Sequence, residues 1–117
     1  MPFVDKDSEP WHEPPGHIKA YSKYLVNPDN QDTEHFDFRL STYPPGGYVE
    51  AHVHERAEQI YYFIEGSVTV RLGDESRVVG PGETVYVPRT VEHGVVNTSE
   101  VDAVFLVITS PPNEVPR

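Results

Sequence analysis

Short extended segments follow one another along nearly the whole chain, and this pattern constrains the fold more than any other feature. Phe36, Phe38, Leu40 and Thr42 alternate with Asp37, Arg39 and Ser41. That is the period-two alternation of a half-buried strand, with the apolar set expected on the buried side. Further strands are expected at 17–26, 48–54, 58–65, 67–72, 76–80, 83–88, 93–97 and 102–109. All are rich in Val, Ile, Tyr, Phe and Thr, which suit a pleated sheet. Turn residues punctuate them at Asn27-Pro28-Asp29-Asn30, Gly66, Gly73-Asp74, Gly80-Pro81-Gly82 and Asn97-Thr98-Ser99. No stretch sustains a 3.6-residue period. Short strands with frequent turns predict an all-β sandwich or barrel.

The 117 residues fit one domain. The 12 prolines are about twice the usual ~5%, and they crowd both ends, where a central strand is excluded. The expected organisation is an N-terminal arm with the first strand at 1–33, a barrel at 34–110 and a tail at 111–117. A core this small gains from a dimer interface, so a homodimer is expected. No apolar run approaches the ~20 residues that span a bilayer. Residues 1–7 lack the basic-then-apolar layout of a signal peptide, which predicts a cytoplasmic protein. The formal charge of −10 repels phosphate backbones and anionic lipid, so neither nucleic acid nor membrane is an expected partner. Cysteine is absent, which removes disulfides, thiolate ligands and a thiol nucleophile.

The chemistry concentrates at His52-Val53-His54. On a strand, positions i and i+2 project to one face about 7 Å apart, and two imidazoles can then share one ion at ~2.0–2.2 Å. Glu58 and Gln59 follow on the next strand. Being adjacent they point to opposite faces, so one of them at most faces the imidazoles. By strand parity Tyr48 and Glu50 share the face of His52 and His54, and Glu50 is a candidate general base. Tyr61 and Phe63 share the face of Gln59, and Asn97 that of His93.

Two segments resemble the paired motifs of the cupin superfamily. Gly46, His52, His54, Glu58 or Gln59, and Gly66 match the first motif. Spacing to Gly66 favours Gln59 as the oxygen ligand, and Glu58 fits the shorter variant. Gly82, Pro88, His93 and Asn97 match the second, with Thr90 where the family usually has glycine. The resemblance implies a double-stranded β-helix, or jelly-roll barrel, in a single domain. It implies one divalent transition metal (Fe, Mn, Ni, Cu, Co or Zn) held by His52, His54, His93 and Gln59. Open coordination positions then imply a small-molecule ligand or substrate. The expected function is a metal-dependent enzyme of dioxygenase, isomerase, lyase or cyclase type acting on a small oxygenated molecule, with Glu50 or Glu58 as acid/base. The alternative is a non-catalytic binding or sensing module that keeps the metal. His12, His17, His35 and Trp11 lie outside both motifs and are expected to be structural or superficial, with Trp11-His12 a possible cap on the barrel mouth.

Overall fold

A computed structural model describes residues 3–114 and Pro116. Met1 and Pro2 of the expected arm, and Val115 and Arg117 of the expected tail, lie outside the described residues. Ten strands form two five-stranded antiparallel sheets. One has the order β1 (His17–Ile18), β4 (Tyr48–His52), β9 (His93–Val96), β6 (Val68–Leu72), β7 (Glu75–Val79). The other has the order β2 (Tyr21–Val26), β3 (Asp37–Tyr43), β10 (Ala103–Ser110), β5 (Glu58–Glu65), β8 (Thr84–Val87). The result is the expected all-β jelly roll. No helix among the described residues is long and apolar enough to cross a membrane.

Two sequence expectations need correction. The strand expected at 17–26 is two strands in different sheets. Lys19, at φ +51, turns the chain from one sheet to the other, a conformation few side chains adopt outside sharp turns. The second correction concerns which face of β3 is buried. Asp37, Ser41 and Tyr43 are buried, whereas Phe38, Leu40 and Thr42 are only partly covered and Phe36 is exposed. The polar set of the alternation points inward and the apolar set outward. A hydrophobic period-two pattern marks a strand without saying which sheet face meets this chain's own core.

Aromatic rings centred on Phe105 fill the closed end of the sandwich. Its ring lies 4.8 Å from Phe63, 5.0 Å from Tyr43 and 5.9 Å from Tyr61. Val68, Val70, Val87 and Val95 from both sheets complete this core. Gly66 ends β5 at φ +68, where a Cβ would stand 2.3 Å from the Asp102 carbonyl oxygen. No side chain fits there, which explains the glycine that closes the first motif.

Asn97 is buried, but it serves the backbone. Its amide donates to the carbonyls of Tyr43 (2.7 Å) and Val101 (2.8 Å), and its oxygen accepts from the Ser99 N–H (2.9 Å). It clamps the 97–101 turn to the end of β3. Stranding buried carbonyls is costly, so Asn97→Ala is expected to lose about 2 kcal/mol or more of stability. Urea unfolding measures that loss. Metal bound per folded chain should stay at the wild-type level.

Candidate metal centre

The site is set by the pairing of β4 with β9. Val49 lies opposite Val95 and His52 opposite His93, three residues on one strand against two on the other. The extra residue is a bulge, which resets the side-chain alternation. Val49 and His52 therefore both face the interior. The bulge overturns the parity that grouped Tyr48 and Glu50 with His52. Glu50 is exposed at the rim of the cavity, and its main contribution is a carbonyl that accepts from His52 Nδ1 at 2.6 Å.

His54 also departs from the expected i, i+2 strand geometry. β4 ends at His52, and His54 sits in the β4–β5 connection. The Thr90 N–H donates to the His54 carbonyl at 2.7 Å and fixes that connection against the turn of the second motif. Thr90 itself adopts φ +71, the glycine-like conformation, although it is β-branched.

These elements bring three imidazoles together. Ring centroids lie 4.3 Å apart for His52–His93, 5.0 Å for His52–His54 and 5.3 Å for His54–His93. One nitrogen from each falls within 4.8 Å of the others. The hydrogen bonds orient two of the rings. A carbonyl only accepts, so the contacts of His52 Nδ1 with Glu50 and of His93 Nδ1 with Val91 (2.9 Å) place the proton on Nδ1. Both Nε2 lone pairs are then free. Burial pushes the His93 imidazole down to about 4 and lowers that of His54, which keeps both rings neutral and able to ligate.

Gln59 points at the same place. Its Oε1 lies 3.1 Å from His93 Nε2 and accepts from the Tyr61 hydroxyl at 3.1 Å, while its Nε2 donates to Thr109 Oγ1 at 3.0 Å. The Tyr61 phenol is pushed up by burial, so it remains a donor. Two lone pairs, on His93 and Gln59, thus confront each other at the spacing of neighbouring ligands on one ion, about 3 Å when each bond is ~2.1 Å. His54 Nδ1 is the one buried side-chain polar atom without a hydrogen-bond partner among the described residues. Convergent lone pairs and a nitrogen left unpaired fit a divalent cation. Glu58 is not brought to this cluster. It is exposed on the outer face and accepts from the Tyr86 hydroxyl.

A cavity of about 580 Å³ opens beside the cluster. His17, half-buried in β1, lines it with its ring edge-on to Tyr43. Arg39 and Glu114 line it as well. Sequence reasoning missed all three. The polar alternation of β3 held the signal for Arg39, read with the wrong face inward. Nothing local marked Glu114, whose carboxylate accepts the N–H groups of Arg56 (2.9 and 3.0 Å) and Ala57 (2.8 Å). His12 and Trp11 do not line the cavity. His12 stacks at 4.8 Å on Tyr24, which does, and the Lys23 ammonium lies 4.8 Å over Trp11.

The profile of the cupin domain matches residues 39–109, more than half of the chain. The chain belongs to the cupin family. Its solved neighbours include a Thermus thermophilus protein, 31% identical with a TM-score of 0.76, over 95% of this cupin and 98% of that chain. The polyketide cyclase RemF of Streptomyces resistomycificus is 28% identical, TM-score 0.85, over 100% of this chain and 84% of its own. KdgF from Halomonas is 26% identical, TM-score 0.79, over 95% and 94%. An uncharacterized protein of Methanocaldococcus jannaschii is 33% identical over 69 residues, 59% of this chain. That match spans 55% of the relative, about half its length.

The two neighbouring residues of β5 separate cleanly in a metal titration. Gln59→Ala is expected to weaken zinc at least tenfold in competition with a chromogenic chelator, and Glu58→Ala to leave it unchanged. The reverse ranking would exchange their roles.

Proposed function

We propose that this cupin is a metal-dependent enzyme acting on a small oxygenated organic molecule by non-redox chemistry at a carbonyl or enol, of cyclase, isomerase or lyase type. One observation carries the reading: three imidazoles with ligand nitrogens within 4.8 Å of one another, at the wall of a cavity large enough for a small molecule. His52, His54 and His93 would hold the ion with Gln59 as the oxygen ligand. That donor set admits Fe, Mn, Ni, Cu, Co or Zn. Likeness to a polyketide cyclase over the full chain supports carbonyl chemistry.

A divalent ion bound there supplies Lewis acidity to a substrate oxygen. The protein's own groups do the rest. Gln59 is neutral, so the ligand set leaves the full double charge of the ion to act on the substrate. Tyr61 and Thr109 fix its amide from either side. Tyr43 and Phe105 give an apolar wall that excludes water from a flat substrate.

For proton transfer the structure offers His17 ahead of the two carboxylates expected from sequence. Its Nδ1 donates to the Pro15 carbonyl at 3.0 Å, which leaves Nε2 as the acceptor. Burial lowers its pKa, so the ring is a free base at neutral pH. Turnover of a panel of β-diketones, hydroxy-ketones and hydroxy acids is expected to stop with EDTA, return with metal and proceed without oxygen. Stoichiometric oxygen uptake would replace this reading with an oxygenase. On the substrate identified, His17→Gln is expected to lower kcat about 100-fold, with metal content unchanged.

A further inference from the structure

The geometry points to a second anchoring site in the cavity, at Arg39, that takes a carboxylate or comparable anionic oxygen of a planar ligand. This rests on the metal-enzyme reading and names the substrate class. In the inner face of the β3–β10–β5 sheet, Gln59 pairs with Thr109 and Thr109 with Asp37. The next row inward runs Tyr61, Val107, Arg39, Tyr24. Two strand spacings, about 9–10 Å, therefore separate the Gln59 column from the Asp37–Arg39 column. The cavity lies between them.

Arg39 is built in from two sides. Its Nε and Nη2 donate to the two oxygens of buried Asp37 at 2.7 and 3.2 Å. Its guanidinium carbon stands 4.6 Å over the Tyr24 ring, and that ring is in turn stacked with His12. Among the described residues it has no other hydrogen-bond acceptor. One guanidinium edge is thus spent on orientation, and the Nη1 edge remains for something in the cavity. An arginine fork held in place matches a carboxylate in plane, with little ordering left to do on binding. Aromatic walls between the two columns suit an unsaturated or aromatic middle. The ligand class is a hydroxy- or oxo-substituted planar acid, its acid on Arg39 and its other oxygen on the histidine side.

The test uses 4-hydroxybenzoate and 4-hydroxycinnamate against their neutral amides, titrated calorimetrically into zinc-loaded and EDTA-treated protein. Each carboxylate is expected to bind at least fivefold tighter than its amide in both forms. Arg39→Gln should abolish that preference at unchanged zinc content. Because this change strands the buried Asp37 carboxylate, Asp37→Asn/Arg39→Gln is run beside it and should behave alike. The proposal is overturned if either variant keeps the preference, if the preference exists only with zinc bound, or if no probe binds. A preference that depends on Arg39 in a protein unable to hold zinc would sink the metal-enzyme reading and leave this site standing.

Discussion

The bulge between Val49 and His52 is the constraint on which the site depends. β4 has two jobs that a regular strand could not combine at this register. Val49 must fill the core against Val95, and three residues later His52 must face His93. An odd step along an undistorted strand would turn one of them to solvent. The inserted residue restores both to one face, and the Glu50 backbone is held by hydrogen bonds on both sides. Its N–H donates to the Gly16 carbonyl, and its own carbonyl accepts from His52 Nδ1. The same residue thus holds the strand edge and chooses the tautomer of His52.

The strands and the motif spacings were legible in the sequence, because each depends on near neighbours. The three histidines and Gln59 came together as expected. The parity of Tyr48 and Glu50 was not legible, because a bulge adds one residue without a distinctive composition. The inner face of β3 was not legible either. Hydrophobic alternation reports that one face of a strand avoids water, and here the face with the stronger apolar signal is the outer one. Asp37, Arg39 and Ser41 looked like solvent contacts, yet they form one side of the cavity.

His54 shows a longer-range version of the same limit. Its place in the linear motif is next to His52, but its position in space is set from two remote parts of the chain. The connection that carries it is tied by Thr90 on one side. Glu114 grips the amides of Arg56 and Ala57 on the other, and its carboxylate lies near enough to raise the His54 pKa against the burial that lowers it. None of these contacts is readable from spacing. They hold the connection that carries the third imidazole.

Charge distribution gives the arrangement a direction. The chain is strongly acidic overall, but the proposed ligand set is three neutral imidazoles and a neutral amide, so a divalent ion would keep its full charge. Across the cavity Asp37 is consumed by Arg39, while the acids that remain, Glu50 at the rim and Glu114 on the tail, have backbone or peripheral duties. On the proposed reading, the net charge of −10 disfavours an anionic ligand at the surface, while the ion and the Nη1 edge of Arg39 would supply its favourable contacts inside the cavity. Repulsion outside and attraction inside would then act together as selection.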